Sequence, residues 1–191
     1  MTARSFKVDD EGLPTNWPTH QLVSEFWEEL GRVIATYGFL EETLGKAIFA
    51  LTGTKQHETV SQEDFEKWIK MLQKAVRDPL GGLIAKFEEV FSRDPDNRFD
   101  NPADLVSDLK KAKIHRDVLC HGSWRKDSSD STGRPFFVNK NDELFDGAYS
   151  VNDLRDIRKF VVALILDVVN SVSLKGYQFP GSSGPGQRIL S

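Results

Sequence analysis

The sequence contains a single cysteine, Cys120, so no disulfide bond can form within the chain. This scarcity fits a reducing compartment, and the cysteine pairs typical of zinc fingers are absent. The N-terminus lacks the apolar core of a signal peptide, and the longest apolar run, 160–169, is too short for a membrane span and contains Asp167. We therefore expect a soluble cytoplasmic protein with no disulfide framework, no metal site, no cofactor and no membrane partner.

Positive charge is also scarce, since 25 Lys and Arg residues stand against 29 Asp and Glu residues for a net charge of −4. An acidic chain of this kind does not coat nucleic acid through its overall field. The basic residues are unevenly distributed, however. Residues 110–126 contain six Lys or Arg and one Asp, a local charge of +5 against −9 for the rest of the chain. The sequence therefore predicts a basic patch on an acidic body.

Hydrophobic periodicity in the 191-residue chain is that of helices, and the length is suited to one domain. We predict an all-α fold: an up-and-down bundle of four to five helices in residues 19–175, with an irregular N-terminal arm at 1–18 and a flexible tail at 176–191. Between 122 and 149 the helical period is lost around a Gly- and Ser-rich turn. This segment predicts a small irregular or β-hairpin excursion before the last helix.

Five helices account for the periodic segments. The first is predicted to begin at a Thr19 cap and to end near Gly53. Its apolar residues recur at intervals of three and four and predict one buried face: Leu22, Phe26, Leu30, Val33, Tyr37, Leu40, Leu44, Ile48 and Leu51. The second helix is predicted at about 61–78, with a core face of Phe65, Trp68, Ile69, Leu72 and Val76, and the third at about 80–93. The fourth is predicted to run from an Asn101 cap to near Gly122, and the fifth to begin at a Ser150–Asp153 capping box.

Arg116 is predicted to lie near the centre of the inward face of the helix that ends near Gly122. An inward arginine needs a partner, and Glu41, at the border of the first helix's apolar stripe, is the candidate. Ile114 and Val118 form a second apolar strip on the opposite side. The helix is therefore expected to be covered on both sides, by its own bundle and by another surface.

The segment RDVLCH, Arg116 to His121, fits the R-x(4-6)-H signature of the HEPN (higher eukaryotes and prokaryotes nucleotide-binding) superfamily. The flanking RDVLCHGSW and SVNDLRDIRKF also resemble segments of some members, although Asp117 stands where many members have asparagine. The resemblance covers roughly residues 19–174 in organisation. It implies a helical bundle that forms a homodimer, with two R-x(4-6)-H motifs facing one another across a shared cleft. Many such proteins are metal-independent endoribonucleases, often antiviral effectors or toxins with an antitoxin partner, whereas others only bind.

The residues suit this chemistry. Metal-free RNA cleavage needs a base for the 2′-hydroxyl, an acid for the leaving 5′-oxygen and a cation for the phosphate. We interpret His121 as the base or acid, Arg116 as the phosphate ligand and Asp117 as the residue that orients one of them. Substrate-binding roles are predicted for the aromatic and basic neighbours Lys113, Trp124, Arg125 and Lys126.

Simpler interpretations stay open at each position. Arg116 and Glu41 could form a purely structural ion pair, and His121 could be a helix-terminal residue that hydrogen-bonds the last carbonyl groups. The lysines suit a solvated helix face, and Trp124 suits packing of the excursion on the bundle. The functional alternatives are accordingly a non-catalytic HEPN-like module that binds a protein or nucleotide, and a helical scaffold with no ligand at this motif.

One geometric expectation bears on the site. Residues five apart on a helix differ by about 140° in direction, so Arg116 and His121 of one chain are not expected to converge readily. Either the helix unwinds before Gly122 or a second chain completes the site.

Overall fold

The computed structural model describes residues 9–53, 61–63, 66–67, 69–70, 79–92 and 98–182. The capping-box residue Asp64 and the core-face residues Phe65, Trp68, Leu72 and Val76 of the helix predicted at 61–78 lie outside these ranges, as does the predicted tail beyond 182. The elements are helices α1 (Ser24–Gly53), α2 (Leu80–Ser92), α3 (Pro102–His121) and α4 (Val151–Ser173), and strands β1 (Ser123–Lys126), β2 (Thr132–Phe136) and β3 (Tyr149–Ser150).

The fold is mainly α-helical with one small antiparallel sheet. Helix α1 is central: it packs most extensively against α4, then against α2, and less against α3. All nine apolar residues predicted for its buried face are buried, Leu22 just ahead of the helix included. The buried residues of α2 are Leu80, Leu83, Ile84, Phe87 and Phe91. Within the described ranges, no helix is both long enough and apolar enough to cross a membrane.

Helix α1 begins at Ser24, so the prediction of a Thr19 cap was wrong. The Thr19 hydroxyl donates a hydrogen bond to the Asn16 carbonyl and therefore closes a local turn, which competes with a helix start. The Thr19 carbonyl accepts a hydrogen bond from Trp27 Nε1 at 2.8 Å. These contacts fix the segment ahead of α1 against the helix's own first turn.

The predicted excursion contains a β-hairpin, which confirms that alternative, together with a third strand. Strands β1 and β2 pair antiparallel with Trp124 opposite Pro135, and β2 pairs with β3. The turn between β1 and β2 forms backbone hydrogen bonds with the starts of α1 and α4: Val23 N donates to Asp130 O, and Val151 N donates to Ser131 O. The sheet therefore projects from the C-terminus of α3 and lies against the N-terminus of α1.

Ser150 and Asn101 both occupy the cap positions predicted for them, but only the Ser150 side chain forms a capping hydrogen bond. The Ser150–Asp153 capping box at α4 is confirmed, with Ser150 N donating to Asp153 Oδ2 at 2.7 Å and Asp153 N donating to Ser150 Oγ at 3.2 Å. Helix α3 begins at Pro102 as expected, but the Asn101 side chain forms no capping hydrogen bond. The first turn of α3 therefore depends on proline, whose missing N–H needs no partner there.

Candidate functional site

The last turn of α3 brings Arg116 and His121 together within one chain. Arg116 Nη1 lies 3.4 Å from His121 Nε2, although α3 stays helical through His121. The expectation that these side chains would not converge was wrong, because the length of the arginine side chain spans the angle between the two positions. Arg116 donates to the lone pair of this nitrogen when His121 is neutral with its proton on Nδ1, and that lone pair can take a proton from a substrate once Arg116 has turned to a phosphate.

Two carboxylates hold the Arg116 guanidinium at this place. Glu41 Oε1 of α1 lies 3.4 Å from Arg116 Nη2, and Asp117 Oδ1 lies 3.6 Å from Arg116 Nη1. The Arg116 side chain is 24% exposed, so it is a partly covered group with an open edge. Glu41 Oε1 is buried and accepts no hydrogen bond from any described residue, so the ion pair with Arg116 is its compensation.

Lys113 joins the cluster from one turn earlier. Its ammonium pairs with Asp117 Oδ2, so Asp117 bridges Lys113 and Arg116. The stem of Lys113 crosses Gly81 at the start of α2, where an added Cβ would lie 2.7 Å from Lys113 Cε. Two cations and two carboxylates thus balance at the centre of the site.

Cys120 lies within the electrostatic reach of Arg116 and Glu41, but its chemistry is that of a neutral thiol. Burial raises the pKa of the Cys120 thiol above its ordinary value, and the nearby Arg116 only partly opposes this. A thiol rather than a thiolate is a poor nucleophile. In the parts of the chain that the structure describes, His, Cys, Asp and Glu side chains form no group of three or more suited to a metal ion.

Of the residues predicted to bind substrate, Trp124 lies against the core. Its ring packs edge-on to Phe26 with centroids 5.1 Å apart and is tilted against Tyr149 at 6.0 Å. Gly133 across the hairpin permits this approach, since an added Cβ there would lie 2.9 Å from Trp124 Cε3. The Trp124 ring therefore attaches the excursion to α1, which is the packing interpretation of this residue.

Arg125 and Lys126 are exposed and have contacts away from the Arg116–His121 pair. Lys126 pairs with Asp130 in the hairpin turn, and the Arg125 guanidinium lies 5.7 Å from the centroid of the Phe136 ring. Within the described ranges, neither forms an ion pair or hydrogen bond with Arg116, Asp117 or His121. The cluster at the end of α3 consequently contains Arg116, His121, Asp117, Lys113 and Glu41.

The second apolar strip predicted on α3 does not exist as such. Val118 is 1% exposed and belongs to the chain's own hydrophobic core, so the expectation of a separate covering surface was wrong for this residue. Ile114 is 62% exposed. It shares the helix face of Asp117 and His121 through i, i+3 and i+7 spacing, so one large apolar side chain stands exposed beside the site.

Two features beside the site were missed at the sequence level. His115 Nδ1 lies 3.0 Å from the Tyr149 hydroxyl and links α3 to β3, and Phe136 presents an exposed ring. Phe136 is two residues from Arg134, so the two share one face of any strand, and this spacing is the signal that links Phe136 to a polar face. Comparison with known proteins adds no relative: no family, no curated protein and no solved structure matches this chain.

Proposed function

We propose that this chain is a metal-independent endoribonuclease of the HEPN type, acting in the cytoplasm as a homodimer of up-and-down helical bundles with a composite Arg/His cleft. The observation that carries the proposal is the 3.4 Å approach of Arg116 Nη1 to His121 Nε2 at an exposed helix end. It joins an imidazole, the side chain most often used for proton transfer, to a planar cation suited to phosphate oxygens. The R-x(4-6)-H spacing supports the same assignment.

In this mechanism Arg116 binds the scissile phosphate through its partly exposed guanidinium, for which the phosphate competes with Glu41 and Asp117. His121 removes the proton of the 2′-hydroxyl, whose oxygen then attacks phosphorus and displaces the 5′-oxygen of the next nucleotide. The leaving oxygen takes a proton from an acid, and the products are a 2′,3′-cyclic phosphate and a 5′-hydroxyl. Glu41, Asp117 and Lys113 act on Arg116 through their ion pairs and are positioning residues.

A second copy supplies what one site lacks. Base and acid are both required, and His121 is the one histidine in the described Arg116 cluster. The exposed Ile114 on the His121 face gives a second copy an apolar contact at the right place. Two facing motifs would then provide two histidines, one for each proton transfer, as well as two arginines for the phosphate.

Cleavage of a labelled single-stranded RNA in EDTA tests the function. We expect wild-type protein to cleave, His121→Ala to lose at least about a hundredfold of the rate, as for loss of a general base, and His20→Ala to match wild type. His20 is the matched control because it is an exposed histidine outside the cluster. No cleavage by any of the three proteins, or equal cleavage by all of them, would contradict the proposal.

Subunit mixing tests the composite cleft. When wild-type chains are exchanged into a tenfold excess of His121→Ala chains, nearly all wild-type chains pair with a variant and each cleft retains one histidine. Activity per wild-type chain should then collapse. Unchanged activity per wild-type chain would show that each chain works alone.

The charge balance favours one alternative, a non-catalytic HEPN-like module that binds a nucleotide or a protein. Arg116 and Lys113 are already paired with carboxylates, so an incoming phosphate has to compete with Glu41 and Asp117. Such a module would bind a nucleotide equally well with His121→Ala and would cleave nothing. The proposed nuclease would lose its turnover in that variant.

A further inference from the structure

The outer face of the β1–β2 hairpin presents an aromatic ring and a cation side by side. In β2, Gly133 and Pro135 are buried whereas Arg134 and Phe136 are exposed, which is the period-two alternation of a sheet with one covered face. Trp124 points to the covered side, where it packs against Phe26. The aromatic residue that this sheet offers to a ligand is therefore Phe136, which is 54% exposed.

Arg125 provides the charge on the same face. It lies 5.7 Å from the Phe136 ring centroid and, among the described residues, has no carboxylate partner. Arg134, opposite Arg125 in the ladder, differs because Asp127 and Asp146 both pair with it. The outer face thus combines one unneutralised cation with one exposed ring, which complements a phosphate next to a base.

The outer face of the hairpin lies close to His121. Ser123 is the Cα partner of Phe136 and follows His121 by two residues. Given about 3.5 Å per residue and about 5 Å between paired strands, the Phe136 backbone lies within about 13 Å of that of His121. Nucleotides next to a phosphate held at Arg116 and His121 can reach this ring.

We infer that the outer face of the hairpin binds single-stranded RNA beside the Arg116–His121 site, with a base stacked on Phe136 and a phosphate held by Arg125. The choice of RNA as the ligand rests on the proposed function. The stacking role that the sequence assigned to Trp124 passes to Phe136. Because a base in a single strand can unstack and offer a free face, whereas bases inside a duplex are stacked on both faces, the surface selects single strands over duplexes.

Fluorescence anisotropy with a labelled 12-nucleotide oligouridylate tests the inference on His121→Ala protein, in which turnover is removed. Phe136→Ala should weaken binding by about tenfold, the usual loss of one stacked base, and Phe136→Tyr should retain it. The matched control is Phe39→Ala, because Phe39 is equally exposed at 55% but lines the groove between α1 and α4. Arg125→Gln should lower the slope of log affinity against log salt by about 0.7, the loss of one phosphate contact.

Binding that is absent, unchanged by Phe136→Ala, or equally reduced by Phe39→Ala would overturn the inference and leave this face to a protein partner. Equal affinity for an RNA duplex of the same length would overturn it as well. Because binding is measured without turnover, its failure is distinct from that of the nuclease. A wild-type chain that cleaves nothing but binds through Phe136 contradicts only the proposed function, and cleavage with a KM unaffected by Phe136→Ala contradicts only this inference.

Discussion

Arg116 reaches His121 across five residues of one continuous helix, with 3.4 Å between Nη1 and Nε2. The guanidinium does so while it contacts Glu41 on α1, so the position of the imidazole is linked to the packing of α3 on α1. A residue on the core helix thus acts on the geometry at the exposed end of another helix. This relationship links the ion pair between α3 and α1 to the two side chains proposed for catalysis.

Replacing Glu41 tests the structural role. Glu41→Gln removes the charge of a side chain that is 29% exposed and paired with Arg116, and we expect the free energy of unfolding to fall by about 1 kcal/mol. Urea denaturation of Glu41→Gln against Glu42→Gln measures it. Glu42 is the adjacent control, since it is 56% exposed and pairs with Lys46 within α1. A loss in Glu42→Gln as large as that in Glu41→Gln would contradict the account.

His115 should make stability depend on pH. Burial lowers the pKa of His115 below 6.5, and its Nδ1 shares a hydrogen bond with the Tyr149 hydroxyl. Burial raises the pKa of Tyr149 to about 12, so that hydroxyl stays protonated throughout. Because the unfolded chain then binds a proton to His115 more tightly than the folded chain does, the stability present above about pH 6.5 should fall as the pH falls below it.

Urea midpoints at pH 7.5 and 5.5 measure this dependence. In His115→Gln the amide can still hydrogen-bond Tyr149 but does not titrate, so the midpoint should fall less between the two pH values than in wild type. His20→Gln, which changes an exposed histidine, should retain the wild-type difference. The same pH difference in wild type and in His115→Gln would show that other groups are responsible.

Two glycines should respond oppositely to alanine. A Cβ on Gly133 would lie 2.7 Å from Phe26 Cζ, and because Phe26 is fully buried it has little room to move. We expect Gly133→Ala to lower the free energy of unfolding by about 1–3 kcal/mol. A Cβ on Gly38 within α1 meets nothing within 4 Å, so Gly38→Ala should raise it by about 1 kcal/mol. Thermal unfolding compares the two, and a stable Gly133→Ala protein would contradict the packing described for the hairpin.

The sequence predicts the helices better than the site. Positions such as Phe26, Leu40 and Ile48 follow the helical period, and burial along α1 is set by that period alone. Val118 lies in the core although a helical wheel places it on the opposite side of α3, because a wheel contains no information about neighbouring elements. The contact between Arg116 and His121 was missed for a related reason: a helical wheel gives the direction of a side chain but not how far the guanidinium reaches.

The aromatic residues show a second limit. Trp124 follows the last residue of the R-x(4-6)-H motif by three positions, so proximity in sequence favoured it as a ligand-binding residue. The strand register reverses that choice, since it turns Trp124 toward Phe26 and leaves Phe136 outside. Register depends on pairing between residues 7 to 18 positions apart, which periodicity within one strand does not determine.

The central claim is that His121 and Arg116 cleave RNA through its 2′-hydroxyl. The direct measurement compares, in EDTA, one RNA oligonucleotide that wild-type protein cleaves with the same oligonucleotide carrying a single 2′-deoxy nucleotide at the cleaved position. The account predicts cleavage of the first with a 2′,3′-cyclic phosphate end and no cleavage of the second at that position. Equal cleavage of both, or failure of the wild-type protein to cleave any RNA in EDTA, would contradict it.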